Sequence, residues 1–487
     1  MRPLYSASFG GLYRLSGAQL PMALLMQAAI VGLASSWAAW LLARRYGLSA
    51  GLAAYGALHF YAVAYTVPVL TENFGLIYGS LALIYLWQRG ERISPLQLGL
   101  ATAVLGLALT GRSGAMFTLP AILVWQMWAQ GPDLKTRAYY AVAWAAGLGA
   151  AVGINWLLIQ MFGGASEHAQ SNFAYTFYAM TAGGRDYLKI FQDHPELRHT
   201  PSPQVLPMMF DLAWQNLFAR PQVFVQSYFA GLVHWLRHLF DFTLLLPVRI
   251  VLTAVWAVGV LSCVQRWRQN QESFMLALLV GVVLSAPFLT FFGGTRIFAA
   301  TYIVDVLFVA AGVHRLLANV RAQDYRTQTH QGWGGTAVLV LLCVYPVLSA
   351  GVLRFTAPIL QPAQAELTCP SGEYPFVART DQAATVVRLL DTDQSVHLTP
   401  GVVQRDAFVE RVDSRIHRYY DLIDLPPGTV LMDVMQFLDT EPLLIYGSSI
   451  PMLWSGEPPE GLVQGCVDLS AKDWIGVPSR IEAWPNP

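Results

Sequence analysis

The chain has 487 residues, of which 55% are hydrophobic and only 12% are charged, with 30 basic and 30 acidic side chains and a net charge of zero. Charged residues run near a quarter in soluble proteins, so this composition excludes an ordinary soluble fold, and the balanced charge argues against a nucleic-acid partner. Forty Gly, 28 Pro and 15 Trp fit a transmembrane bundle, which tolerates small residues, helix breaks and interfacial aromatics.

The opening stretch, MRPLYSASFGGLYRLSGAQLP, lacks an apolar core followed by a small-residue cleavage site and does not read as a cleavable signal peptide. Apolar runs of spanning or near-spanning length follow at about 21–43, 50–69, 72–88, 95–110, 114–130 and 138–160. Four more lie at about 242–264, 274–292, 297–317 and 335–354. About ten transmembrane helices are therefore expected, with the short 95–110 run tilted or extended into its neighbours.

Cations mark every second connection. Arg44 and Arg45 follow the first run, Arg89 and Arg92 the third, Lys135 and Arg137 the fifth, Arg266 and Arg268 the seventh, and Arg315, Arg321 and Arg326 the ninth. By the positive-inside rule these connections are cytoplasmic, which puts residue 1, the loop 161–240 and the tail 358–487 outside. The first visible helix then runs from outside to inside. That start is expected of a chain from which an upstream in-to-out helix and its outer loop are missing.

The outer loop 161–240 carries FDLAWQNLFARPQVFVQSYFAGLVHWLRHLF, with aromatic and aliphatic residues at helical spacing and Arg220, His234, Arg237 and His238 among them. It reads as amphipathic helices on the outer membrane face, which either cap the bundle or contact substrate. From Pro358 onward acids, Thr and Pro increase and β-branched stretches such as ATVVRLL and GTVLMDVMQFL appear. Residues 358–487 are expected to form a small soluble α+β domain beside a bundle of residues 1–357. Cys263 and Cys343 sit in apolar runs and read as small buried hydrophobes. Cys369 and Cys466 lie in the polar tail and either pair as a disulfide in an oxidising compartment or stay reduced.

No GxxxxGK[ST], HExxH or CxxC occurs, nor a GxGxxG in a strand–helix setting, so nucleotide and metal-hydrolase chemistry lacks support. Ionisable residues at the lips of spans carry more, because burying them costs several kcal/mol unless they are paired or wetted. Glu72 in VPVLTENFGLIYG, Arg112 in LALTGRSGAMFTLP and Arg296 in FFGGTRIFAATYIVDVLF all fall on the outer side. Singly each reads as an interfacial anchor. Together they place one carboxylate and two guanidiniums around one cavity, which suits an anionic headgroup. Asp305 lies deeper and reads as a structural partner. His59 is either a ligand or a hydrogen-bonded histidine between helices. Glu167, His168 and Asp186 either bind a divalent ion or are solvated loop charges.

The ensemble resembles the GT-C glycosyltransferases, multispanning enzymes that use polyprenyl-phosphate sugars, including protein mannosyltransferases and aminoarabinose transferases. RPLYSASFGGLYRLSG with the helix ending LLARRYG is similar to the opening of their second helix, and ALHFYAVAYTVPVLTENFGLIYGSLAL to their third and fourth helices. LGLALTGRSGAMFTLPAIL and GGTRIFAATYIVDVLFVAAGVHRLL resemble later stretches, and SNFAYTFYAMTAGGRDYLKIF an outer loop of bacterial members. The likeness covers roughly residues 1–320.

It implies a transferase at the outer face of a bacterial cytoplasmic membrane, moving a sugar from a lipid-linked donor to a glycan, lipid or protein acceptor. The donor phosphate would lie near Arg112, Arg296 and Arg2, with Glu72 a catalytic-site acid that positions the acceptor or holds a divalent metal ion. In this family the acid that takes the acceptor's proton sits on the first outer loop, which this chain lacks. Two other classes remain: a non-enzymatic protein, such as a lipid-linked glycan transporter or pseudo-enzyme, and a surface-polysaccharide polymerase or ligase.

Overall fold

The computed structural model describes residues 3–17, 20–66, 71–111, 114–129, 133–162, 171–184, 189–194, 197, 202–242, 246–317, 334–355 and 370. It also describes strand segments between 373 and 483. The described residues are mostly helical. The helices are α1 (Pro3–Leu15), α2 (Leu20–Tyr46), α3 (Leu48–Thr66), α4 (Glu72–Arg89), α5 (Pro95–Gly111), α6 (Thr118–Ala129) and α7 (Leu134–Phe162), then α8 (Ser171–Thr181), α9 (Lys189–Asp193), α10 (Ser202–Ala219) and α11 (Pro221–Arg237). The series closes with α12 (Leu246–Gln265), α13 (Asn270–Gly293), α14 (Ile303–Leu317) and α15 (Gly334–Phe355).

Five of these are long and apolar enough to cross a bilayer: Pro21–Tyr46, Leu134–Met161, Leu246–Gln265, Asn270–Leu289 and Gly334–Leu353. Leu48–Ala64 and Pro95–Gly111 are shorter apolar helices. Many of their large side chains face outward, among them Leu33, Trp40, Leu52, Val142, Trp156, Ile250 and Leu341, an arrangement that is costly in water and neutral in lipid. The chain is a helical membrane protein.

Local signals explain where the helices start and stop. Gly47, at φ 94, breaks the chain between α2 and α3. Ser94 and Gln97 form a reciprocal capping box at the start of α5. The Gln97 amide donates to Ser94 Oγ at 3.3 Å and the Ser94 amide to Gln97 Oε1 at 3.1 Å, with Pro95 at the first helical position. Asp133 caps α7 by accepting from the Thr136 hydroxyl and from the amides of Thr136 and Lys135, and these bonds, the hydroxyl's first, hold its carboxyl below the usual aspartate range.

The expected span 297–317 is interrupted. A 3-10 turn covers Gly294–Phe298 and α14 begins only at Ile303. The start of the run is apolar, but Tyr61 donates to the carbonyl of Arg296 in the turn, which is not continued as α-helix. Likewise residues 114–117 precede α6 rather than belonging to it. A helix that the apolar-run reading passed over, α1, is too short to span, and its first eleven residues are buried.

The chain divides into two compact units, one of residues 1–4, 26–159 and 165–347, the other of residues 5–25, 160–164 and 348–487. Within the first, helices meet through glycines. A Cβ built on Gly259 of α12 would overlap the Phe308 carbonyl oxygen of α14, and one on Gly312 of α14 would overlap the Val255 carbonyl of α12. Backbones that close are typical of membrane helix pairs, where dispersion replaces the hydrophobic drive. Residues 171–219 build a satellite core of Ala174, Phe177, Tyr178, Ile190, Leu197, Met209 and Ala213. There the Tyr178 hydroxyl donates to Asp193 Oδ2 at 3.0 Å, and burial, reinforced by that bond, pushes its pKa up to about 12.

In the second unit Ser349 Oγ donates to the Ala7 carbonyl at 2.6 Å. Among the described residues its C-terminal part holds eight strands: β1 (Glu373–Arg379), β2 (Thr385–Leu389), β3 (Gln394–Leu398), β4 (Val403–Gln404), β5 (Thr429–Asp439), β6 (Leu443–Ser455), β7 (Leu462–Asp468) and β8 (Val477–Ala483). All pairings are antiparallel, in the order β4-β5-β3-β2-β1-β7-β8, with β6 on β5. The helical half of the expected α+β domain is missing among the described residues. The β-branched stretches that prompted the expectation do form strands, β2 and β5.

Gly259→Ala and Gly312→Ala should each cost about 1–3 kcal/mol, because the added methyl meets backbone that cannot swing aside. Thermal unfolding in detergent micelles reads this. Midpoints equal to wild type in both variants would refute the close α12–α14 contact.

Candidate functional site

The cationic ends of several helices gather at one end of the first unit. The Tyr46 ring, next to Arg44 and Arg45, lies 5.8 Å from Trp87 and 5.4 Å from His314, and its hydroxyl reaches Met275 Sδ at 3.6 Å. His314 Nδ1 meets the Tyr46 carbonyl at 2.9 Å. The end of α2, the end of α4 with Arg89, the start of α13 and the end of α14 with Arg315 are thereby neighbours.

The other ends of α3, α4 and α14 meet around residues 294–302. Glu72 opens α4 and is only 1% exposed. A buried carboxylate needs an opposite charge and hydrogen bonds, because desolvation alone costs several kcal/mol. Arg296 supplies the charge: its Nε lies 3.8 Å from Glu72 Oε1, while its side chain is 41% exposed. Thr71 Oγ1 donates to Glu72 Oε2 at 3.4 Å. One edge of the guanidinium is thus turned to the acid while much of the side chain stays accessible.

The turn that carries Arg296 is fixed from several elements. Tyr61 of α3 donates its hydroxyl to the Arg296 carbonyl at 3.0 Å, with the Thr295 carbonyl at 3.4 Å. Thr295 Oγ1 donates to Asp241 Oδ1. The Tyr61 ring stacks on Tyr302 at 4.2 Å, and Phe242 meets both rings edge-on at 5.5 and 5.4 Å. A Cβ on Gly79 of α4 would overlap the Ala300 carbonyl, so α4 lies directly against the segment that follows the turn. The 114–115 segment also reaches it: a Cβ on Gly114 would lie 3.3 Å from Ala300 Cβ, and the Ala115 amide donates to Thr301 Oγ1 at 3.4 Å.

Of the residues singled out in the sequence, Glu72 and Arg296 therefore come together. Arg112, Arg2, Glu167, His168, Asp186 and Cys369 lie outside the described residues. Asp305 is buried and accepts from Trp256 Nε1 at 3.1 Å, as a structural partner would. His59 is exposed on α3, stacked on Tyr55 at 5.9 Å, and does not pack between helices as expected. His234 and His238 stack at 4.1 Å at the end of α11. Cys263 and Cys343 are free, and Cys466 on β7 is buried and disulfide-bonded.

Among the described residues no three His, Cys, Asp or Glu side chains gather as a metal site. Glu72 faces a guanidinium where a divalent ion would need further acids or carbonyls. Tyr61, Thr295 and Asp241 escaped the sequence reading because hydroxyls and an acid far apart in the chain carry no local pattern. The chain matches no known family model, no curated protein and no solved structure.

Trp256→Phe should destabilise the protein by about 1–3 kcal/mol, because it strands a buried carboxyl. Trp256→Phe with Asp305→Leu should regain most of that loss in a double-mutant cycle read by thermal unfolding. Additive losses would refute the coupling.

Proposed function

We propose that the chain is a membrane glycosyltransferase that moves a sugar from a polyprenyl-phosphate donor to an acceptor at the outer face of the cytoplasmic membrane. In this reading about ten helices span the bilayer, the cationic ends of α2, α4 and α14 face the cytoplasm, and the C-terminal sheet lies outside. The observation that carries it is the Glu72–Arg296 pair. An arginine whose side chain is 41% exposed, beside a buried acid, sits at the opposite ends of these helices from the Tyr46 cluster. The disulfide at Cys466 supports an oxidising compartment for the sheet.

A donor phosphate with one ester arm in the lipid needs a cation at headgroup depth, and a planar guanidinium suits it better than an ammonium. Attack by an acceptor hydroxyl at the anomeric carbon breaks the bond from that carbon to the phosphate oxygen. The departing polyprenyl phosphate gains a negative charge, which Arg296, with Arg112 and Arg2 as further candidates, would stabilise. Glu72 serves this site by holding the Nε edge of Arg296, leaving the terminal nitrogens for phosphate oxygens. The acceptor's proton goes to a separate base, which in the resembling family belongs to the first outer loop.

The full-length protein, given a polyprenyl-phosphate sugar and a hydroxyl acceptor, should release polyprenyl phosphate as the sugar passes to the acceptor. Arg296→Ala and Glu72→Ala should each lower the rate about 100-fold or more while membrane insertion is unchanged, with Arg296→Lys in between. Wild-type rates in both alanine variants would overturn the assignment.

A further inference from the structure

We propose that Tyr61 and Asp241 are positioning residues that hold the Arg296 turn in register with Glu72, and that the anion affinity of the site depends on their hydrogen bonds. The inference rests on the reading of Arg296 as a phosphate-binding residue.

A 3-10 turn of five residues has strained hydrogen bonds and little stability of its own. Here it must present a cation to within about an ångström, since a displacement of that size is enough to cost about 100-fold at a reacting centre. Its backbone is restrained by groups that come from elsewhere. Tyr61, 235 residues away in sequence, donates to the Arg296 carbonyl at 3.0 Å, closer than the Ala299 amide that the same carbonyl accepts at 3.3 Å within the turn. Asp241, in the segment that leaves α11, takes the Thr295 hydroxyl, and Thr295 is only 5% exposed. The stacked Tyr302 and edge-on Phe242 fix the Tyr61 ring, so its hydroxyl has few alternative positions. Tyr61 binds the Arg296 carbonyl and Asp241 the Thr295 hydroxyl, so both act on the turn that carries the guanidinium.

The geometry therefore links α3 and the end of α11 to one guanidinium. It also separates hydrogen bonding from packing: Tyr61→Phe keeps the ring stack and loses only the bond. Asp241→Asn and Thr295→Ser keep an acceptor and a donor, whereas Asp241→Leu and Thr295→Val do not.

The test is binding of a short-chain polyprenyl phosphate to the full-length protein in detergent, followed by intrinsic tryptophan fluorescence, with the unfolding midpoint of each variant recorded. Tyr61→Phe, Asp241→Leu and Thr295→Val should each weaken binding by about 10-fold, the scale of one lost hydrogen bond. Asp241→Asn and Thr295→Ser should bind within about two-fold of wild type, and Arg296→Ala should bind only as a bilayer-seeking lipid does. Wild-type binding by Tyr61→Phe, Asp241→Leu and Thr295→Val, with Arg296→Ala defective, overturns the positioning role and leaves the phosphate site standing. Equal losses in the conservative and non-conservative pairs also overturn it, since shape rather than hydrogen bonding would then matter. Wild-type binding by Arg296→Ala overturns the phosphate site itself.

Discussion

An acidic side chain buried at the start of α4 is the constraint around which this end of the first unit is arranged. Glu72 is 1% exposed, and the turn at Gly294–Phe298 brings Arg296 to it, with Nε 3.8 Å from Oε1. Tyr61 in turn donates to the Arg296 carbonyl and ties the turn to α3. Each step follows from the cost of unpaired polar groups in a low-dielectric setting, which is the strongest structural constraint a membrane imposes. Close backbone packing at Gly79 keeps α4, and with it Glu72, against the segment after the turn.

Apolar periodicity and length made most of the helices legible. Each of the ten runs contains a helix, but among the described residues five are long and apolar enough to cross a bilayer, where about ten were expected. Breaks within runs were not legible. Nothing in TRIFAATYIVDVLF distinguishes a turn plus a helix from one continuous helix, and the side chains that bind the turn, Tyr61 and Asp241, lie far away in sequence. The short α1 lacked the length that marks a span, although its PLYSASFGGLYRL is almost wholly buried. In the tail, β-branched stretches announced strands, but short segments hold little information on whether helices accompany them.

The site was half legible. Glu72 and Arg296 stand out because ionisable residues at span ends are expensive and therefore few. Asp305 was readable as structural, and its Trp256 partner accounts for it. The histidine at position 59 was misread because an imidazole in an apolar run invites a polar partner. At the exposed face of α3 it instead stacks on a tyrosine one turn away. The clamp residues are common types separated by more than 50 or 200 positions, so only the folded chain brings them together.

The central claim is that a lipid-linked phosphate is bound at the Arg296 end of the helices rather than at the end bearing the Tyr46 cluster. A photoreactive short-chain polyprenyl phosphate, cross-linked in native membranes and mapped by peptide mass spectrometry, tests it most directly. The account predicts labels in 71–75, 114–118 and 295–302, competed away by unlabelled polyprenyl phosphate. Competable labels confined to the segments around Arg45, Arg89 and Arg315 would contradict it.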